Sequence, residues 1–179
     1  MENIKEILNL DSEKITSHFN KGDILQRDGE NCSKAFFVKK GLLRSYTIDD
    51  KGKEHIFMFA PESWVIADIE SQEFKQPAKL FIDCVEKSEV IILDRSLLLK
   101  SDLNIIQLKN NINLLSRRVA VLQRRVIMLM SASAKDRYEL FLETYPELPN
   151  RVPQRMIASY VGITPEALSK IRGKIAKSK

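Results

Sequence analysis

The glycine at position 162 constrains the fold of this chain more than any other single residue. Counting from Gln154, the pattern places Ile157 and Val161 on the buried face of a helix, with the small Ala158 between them. Gly162 can then adopt a positive φ without a Cβ clash, which ends the helix and lets the chain double back. This stretch therefore predicts two short helices that cross closely at a tight turn.

The residues after the turn carry the signals that begin a second helix. Thr164 is a good N-cap, Pro165 suits the first helical position, and Glu166 favours the positive end of the helix dipole. The apolar residues that follow recur at three and four residues, namely Leu168, Ile171 and Ile175. We expect a helix from Pro165 that buries these positions and exposes a polar face.

Such a helix pair is typical of the helix-turn-helix that reads DNA, although an ordinary helical hairpin has the same outline. Lysine and serine side chains can contact guanine edges or phosphates, and a glutamate can accept a hydrogen bond from a cytosine amino group. The residues expected to read bases are Glu166, Ser169 and Lys170. Those expected to hold phosphates are Arg155, Thr164, Arg172 and Lys174.

The charge of the chain is divided unevenly between its two parts. From Arg117 onward there are 13 Lys and Arg residues against 5 Asp and Glu, a net charge of +8, whereas residues 1–116 carry 16 against 19, a net of −3. A basic segment joined to a mildly acidic one is typical of a polyanion-binding module attached to a module with another task.

A heptad repeat of apolar residues lies just upstream of the basic segment. Isoleucine and valine occupy the a positions and leucine occupies the d positions, in the order Ile105, Leu108, Ile112, Leu115, Val119, Leu122, Val126 and Leu129. This arrangement favours a parallel two-stranded coiled coil, and so predicts a homodimer. The alternative is one amphipathic helix packed on its own domain. A parallel dimer would present two helix-turn-helix units to an inverted-repeat DNA site.

The front half of the chain indicates short antiparallel strands. Turn signals such as Asp28-Gly29, Lys40-Gly41 and Gly52 separate apolar or alternating runs. The expected strands are 35–38, 42–48, 56–59, 80–85 and 90–93. This spacing predicts a β-roll of the jelly-roll type, preceded by a short amphipathic helix that contains Ile4, Ile7 and Leu8.

The fold class predicted for the whole chain is α+β. Residues 1–100 are expected to form the antiparallel β-roll, 101–130 the long dimerisation helix, and 131–179 an all-α helix-turn-helix domain. Within the last segment we expect a further helix, 135–144, that packs under the DNA-reading pair. Tyr145-Pro146 should end that helix, because a proline disfavours helical geometry in the preceding residue.

In this order, the elements resemble the Crp/Fnr transcription regulators over nearly the whole chain. The motifs that carry the resemblance in the roll are Lys21-Gly22-Asp23, Asp28-Gly29-Glu30, Phe36 to Gly41, Asp50 to Glu54 and Ser88-Glu89-Val90. The stretch from Arg151 to Arg172 resembles the family's DNA-reading segment, with Glu166 and Lys170 where relatives place base-contacting residues. Pro165 departs from the arginine that many relatives carry, which implies a different recognition sequence.

The resemblance also implies partners. Double-stranded DNA, a second copy of the chain and RNA polymerase are the expected ones. Many relatives continue into a β-hairpin wing that contacts phosphate, whereas here only the basic residues Arg172, Lys174, Lys177 and Lys179 could substitute for it, so the resemblance is to a short form. We expect the missing wing to lower the affinity for DNA and to make it steeply dependent on salt.

The expected effector site departs from the cyclic AMP-binding relatives. Those relatives carry a Gly-Glu pair and, after a short helix, an Arg-Ser or Arg-Thr pair, because a ribose hydroxyl needs a carboxylate and a cyclic phosphate needs a guanidinium. This chain has Ala67-Asp68 at the first place, and Ala78-Lys79 at the second, where Ala78 aligns with the arginine. The Asp68 carboxylate can still meet a ribose hydroxyl and the Lys79 ammonium a phosphate, but neither reproduces the bidentate fork. With Trp64 they form the predicted effector pocket. We expect no cyclic nucleotide and no other cofactor, although a different small effector stays open.

The sequence lacks the residues that other sensing and catalytic chemistries require. Cys32 and Cys84 are too few for an iron–sulfur cluster held by one chain. His18 and His55 are isolated and lack a ligand cluster, so the cupin type of metal enzyme is not expected. No apolar run approaches the ~20 residues that span a bilayer, so we expect a cytoplasmic protein. The sequence also lacks the residue motifs of common catalytic sites, so we expect that the protein is not an enzyme. The rival function is that of a ligand-sensing or partner-binding protein that no longer binds DNA specifically.

Overall fold

The computed structural model describes residues 15–31, 34–93 and 105–177. The chain forms two compact units, Met1–Ile112 and Asn113–Lys179. The predicted helix near Ile4, the thiol of Cys32 and the final Lys179 lie outside the described residues.

The first unit is built from short strands and one short helix. The strands are β1 (Thr16–Phe19), β2 (Ile24–Gln26), β3 (Ala35–Lys40), β4 (Leu43–Ile48), β5 (Glu54–Ala60), β6 (Val65–Ala67), β7 (Phe81–Cys84) and β8 (Ser88–Leu93), and the helix is α1 (Ile69–Phe74). The five predicted strands are present. Three more, β1, β2 and β6, are only three or four residues long and carry too little periodicity to be recognised alone.

These strands form two four-stranded sheets, in the orders β1-β8-β3-β6 and β2-β7-β4-β5. Every neighbouring pair is antiparallel. The register sets Phe36 of β3 beside Ile66 and Ile92, and Leu43 of β4 beside Ala60 and Cys84. The predicted antiparallel β-roll is thus confirmed.

The core lies between the two sheets because alternate side chains of each strand point inward. One cluster of buried residues draws on both sheets: Phe36, Val38, Ile66 and Val90 from the first, and Leu43, Ala60, Ile82 and Cys84 from the second. Trp64 is partly buried against this cluster. A second cluster covers the opposite face of the first sheet, with Phe37, Ile91 and Leu93 at its centre.

Gly41 is required where the chain turns between β3 and β4. Its φ is +96°, and a Cβ at this position would lie 2.6 Å from the carbonyl oxygen of Lys87. The left-handed backbone and this close approach exclude a side chain. The glycine therefore fixes the β3–β4 turn against the start of β8.

A buried arginine lies on the face of β4 opposite the core residue Leu43. The Arg44 guanidinium donates two hydrogen bonds of 2.8 Å to Asp83 and two more to Glu54, and it stacks over the Tyr46 ring at 4.2 Å. Burial alone would lower the pKa of Arg44, but its bonds to both carboxylates raise that pKa above the ordinary value. Arg44 is therefore a charged crosslink between β4, β5 and β7.

The second unit is helical. Its elements are the long helix α2 (Ile105–Ser131), which begins within the first unit, followed by α3 (Ala134–Thr144), a 3-10 turn (Leu148–Asn150), α4 (Gln154–Val161) and α5 (Pro165–Lys177). A capping box between Ser133 and Asp136 begins α3. As predicted, α3 ends before Tyr145-Pro146. The boundary between the compact units falls inside α2, upstream of the predicted boundary at residue 131.

The helical core is built from aromatic and aliphatic residues. Phe141, Leu148, Ile157 and Leu168 are fully buried. The Phe141 ring lies 5.6 Å from that of Tyr145 and 5.5 Å from that of Tyr160, a spacing typical of favourable aromatic pairs. The chain therefore places an aromatic cluster directly beneath the predicted DNA-reading pair.

Candidate nucleic-acid interface and effector site

The turn between α4 and α5 has the geometry that the sequence predicts. Gly162 has a φ of 74° and a ψ of 40°, in the left-handed region, and its N–H donates to the carbonyl oxygens of Ala158 and Ser159. The N–H of Ile163 donates to the Ala158 carbonyl at 3.0 Å. These bonds satisfy the last carbonyls of α4, so the helix ends at one defined residue and α5 starts in a fixed direction.

The inner faces of the two helices are packed largely as expected. Ile157, Ala158, Val161 and Leu168 are all buried. The predicted inward residues Ile171 and Ile175 are only half-buried. The first turn of α5 is therefore held most firmly against α4, and burial decreases toward the C-terminal end of the helix.

The opposite face of α5 is polar and open to solvent. Six of the seven residues proposed for DNA contact are exposed: Arg155, Thr164, Glu166, Ser169, Lys170 and Lys174. Arg172 is the exception, since it is half-buried. The assignment of each residue to bases or phosphates stays a prediction.

The start of α5 fixes the charge of Glu166. The Thr164 hydroxyl accepts a hydrogen bond of 3.2 Å from the N–H of Ala167, as an N-cap does. The pKa of Glu166 is lowered by its own backbone N–H, then by the Thr164 hydroxyl and by attraction to Lys170, while desolvation raises it. Glu166 is thus a carboxylate at neutral pH, and a carboxylate acts only as a hydrogen-bond acceptor.

The end of α2 holds the helix pair through an arginine. The Arg125 guanidinium stacks over the Tyr160 ring at 3.9 Å and donates to the Tyr160 carbonyl at 3.3 Å. Arg117, Arg118, Arg124 and Arg125 lie off the heptad seam, where the sequence alone predicts a solvated face. That assignment is wrong for Arg125 and for the half-buried Arg118, whose pKa is lowered by burial. Arg124 does lie in solvent, where it pairs with Glu143.

The heptad seam of α2 lies on the surface of the single chain. All eight side chains are between 41% and 73% exposed: Ile105, Leu108, Ile112, Leu115, Val119, Leu122, Val126 and Leu129. Such a continuous exposed apolar strip marks an interaction surface. Leu129, at its end, also faces the tight turn, because a Cβ at Gly162 would lie 3.6 Å from Leu129 Cδ2.

The predicted effector residues of the roll lie around α1, but their polar groups are engaged within the chain. Asp68 is 1% exposed and caps α1, accepting a hydrogen bond of 3.1 Å from the N–H of Ser71. Its other carboxylate oxygen accepts from the N–H groups of Lys79 and Leu80, at 2.7 and 3.0 Å. The sequence interpretation allowed Asp68 to meet a ribose hydroxyl, yet its carboxylate faces the backbone instead.

The remaining effector residues offer little charge to a ligand. Ala78, at the place of the arginine, is 1% exposed. The Lys79 ammonium pairs with Glu70, and both side chains are more than half exposed. The predicted contact of Lys79 with a phosphate is therefore replaced by a surface ion pair. Trp64 packs against the inner core, and Ala67 packs against the cluster on the opposite face of the first sheet.

Few of the described residues have side chains suited to redox or metal chemistry. Burial raises the pKa of the Cys84 thiol to about 11, so it is not a reactive thiolate at neutral pH. His55 is exposed and lies 2.8 Å from Asp49. Among the described residues, no group of three His, Cys, Asp or Glu side chains could hold a metal ion. Within the same ranges, no helix combines the length and apolar character of a membrane span.

Comparison with known proteins gives a consistent set of relatives. No family model matches the chain. Electron transport regulator A of Shewanella oneidensis is 25% identical over 175 residues, which cover 88% of this chain and 67% of that protein. FixK2 from Bradyrhizobium japonicum superposes with a TM-score of 0.76 at 17% identity, over 92% of this chain and 85% of the other.

A transcriptional regulator of the CRP/FNR family from Thermus thermophilus gives a TM-score of 0.70 at 21% identity, over 92% of this chain and 87% of the other. Each superposition covers 92% of this chain and so is not confined to one common motif. The resemblance found in the sequence is thus confirmed for the fold: this chain has the architecture of the Crp/Fnr transcription regulators.

Proposed function

We propose that the protein is a homodimeric, sequence-specific DNA-binding transcription regulator that does not require cyclic AMP. The observation that carries the proposal is the face of α5, where Glu166, Ser169 and Lys170 are exposed on a helix that is held from behind by the buried Leu168. A helix presented in this way has the width to enter the major groove, and these side chains have the donors and acceptors to read base edges.

The charges around α5 support a DNA partner. Arg155 and Lys174, which precede and follow the base-reading residues in the sequence, are both exposed. The sequence from residue 117 to the end carries a net charge of +8. Such a charge attracts the phosphate backbone whatever its sequence, and the exposed face of α5 then supplies discrimination between sequences.

The heptad seam supports a dimer. Its eight apolar side chains follow the spacing of a two-stranded coil and are exposed on the single chain. The same helix is joined to the reading pair by Arg125 on Tyr160 and by Leu129 beside Gly162. Pairing of two α2 helices would therefore also set the distance between two α5 helices, as an inverted-repeat site with half-sites about one helical turn apart requires.

The test is selection of bound duplexes from a random DNA pool by the full-length protein at moderate salt, without added ligand. We expect enrichment of an inverted repeat. Lys170→Glu should abolish that enrichment. Lys135→Glu makes the same charge change on the exposed start of α3 and should preserve it. Recovery of duplexes without a shared motif would reject sequence-specific binding and favour the partner-binding function.

A further inference from the structure

The loop that connects β6 to β7 contains a carboxylate bound by three backbone N–H groups. One oxygen of Asp68 accepts from Ser71, at the start of α1, and the other accepts from the successive residues Lys79 and Leu80. Convergent backbone N–H groups of this kind form an anion-binding nest. The anion that fills the nest is the chain's own side chain, which is 1% exposed.

Further hydrogen bonds within the chain hold the backbone of this loop in place, so its N–H groups cannot turn toward another ligand. The Ala78 N–H donates to the Glu30 carbonyl and the Gly29 N–H donates to the Ala78 carbonyl, both at 2.8 Å. The buried Gln26 amide donates to the Leu80 carbonyl at 2.9 Å. The backbone N–H groups of residues 78, 79 and 80 are therefore all engaged with acceptors within the chain.

The identity of residue 68 explains why the carboxylate turns inward. Aspartate is among the best N-cap residues because its short side chain reaches the N–H of the third helical residue, which here is Ser71. Glutamate, found at this place in the cyclic AMP-binding relatives, is one methylene longer and is not a preferred N-cap. Since Ala78 supplies no guanidinium, nothing else in this loop offers a cationic fork to an outside anion.

We propose that Asp68 is an internal ligand that permanently occupies the anion nest of the β6–β7 loop, so that no phosphate- or carboxylate-bearing effector binds there. The Asp68 side chain thereby holds the roll in one arrangement. Any effector that binds this loop must be recognised through a group that is not anionic. The inference concerns the roll alone and does not depend on whether the protein binds DNA.

The experiment is chemical rescue of an Asp68 variant by small anions. Unfolding is monitored through the fluorescence of Trp64, the one tryptophan of the chain and a residue of the roll. Thermal unfolding of the full-length protein is recorded in sodium formate, in inorganic phosphate and in sodium chloride of equal ionic strength. Asp68→Ala should unfold at a lower temperature than the wild type. Formate or phosphate should raise that temperature in a saturable manner, because an anion that binds only the folded state stabilises it.

The matched control is Ser71→Ala, which removes the hydroxyl that donates to the Gln76 carbonyl at 2.6 Å in the same loop but leaves the carboxylate in place. It should be destabilised without rescue. A folded Asp68→Ala protein that gains no more from formate than Ser71→Ala does would overturn the proposal. So would a saturable stabilisation of the wild type by phosphate or cyclic AMP, a measurement that decides the matter even where Asp68→Ala does not fold.

Discussion

Charged side chains are exposed on α5, whereas the key charged side chain of the β6–β7 loop is buried. On α5 the side chains of Glu166, Lys170 and Lys174 are exposed, and helix–helix packing is confined to the other face. In the loop Asp68 is buried and bound to three backbone N–H groups. A charge left in solvent is available to a partner, whereas a buried charge must be satisfied within the fold. The helical unit is thus suited to recognition and the roll to rigidity.

The largest effect is expected where a buried charge loses its partner. Arg44→Met leaves Asp83 buried without its two 2.8 Å donors, so the free energy of unfolding should fall by about 3–5 kcal/mol. Urea denaturation measures the loss. Arg124→Met removes an arginine whose pair with Glu143 is exposed, and it should cost under about 1 kcal/mol. Equal losses would contradict the distinction between inward and outward charges.

A second substitution tests whether the exposed strip of α2 is a recognition surface in its own right. Leu122→Glu places a charge within the heptad seam and should yield a monomer in sedimentation, with DNA affinity reduced on the order of 100-fold by loss of the second half-site contact. Val121→Glu alters the neighbouring residue, which is also exposed but lies off the seam, and should leave the dimer intact. A dimeric Leu122→Glu protein would show that the seam is not the interface.

A third pair of substitutions separates the two roles on α5 itself. Lys170→Ala should reduce discrimination between the selected site and its single-base variants by about 1–3 kcal/mol. Lys174→Ala should weaken all duplexes alike and lower the salt slope by about one. Neither should change the free energy of unfolding appreciably, because both side chains are exposed. Identical, sequence-independent losses from both variants would refute the division into base and phosphate contacts.

The smallest effect concerns the pH dependence of α5. Because the pKa of Glu166 is lowered in the folded state, its carboxylate stabilises the helix start at neutral pH. That contribution should be lost as the pH falls through the unfolded and then the folded pKa. The difference in unfolding free energy between the wild type and Glu166→Gln should therefore be present at pH 7 and vanish in acid. A difference that persists in acid would mean that shape rather than charge fixes the start of α5.

The prediction of the site from sequence succeeded where the physics is local. Gly162 follows the apolar positions of α4, and the three residues that begin α5 stand next to one another, so a few residues contain the whole signal for the turn. The same holds for most strands of the roll, whose turns carry glycine or aspartate. The prediction failed for Arg125, because no neighbouring residue in the sequence marks it as the arginine that stacks on Tyr160.

By itself the sequence determined five of the eight described strands, the helices α2 to α5, and which faces of α2, α4 and α5 are apolar. Only the tertiary structure decided which charged groups are buried and which partners they bind. Arg44 meets Asp83 across 39 residues, Arg125 meets the Tyr160 carbonyl across 35, and Asp68 meets the Lys79 N–H across 11. Periodicity, turns and caps depend on neighbours in the chain, whereas the burial of a charge depends on partners that the folded chain brings together.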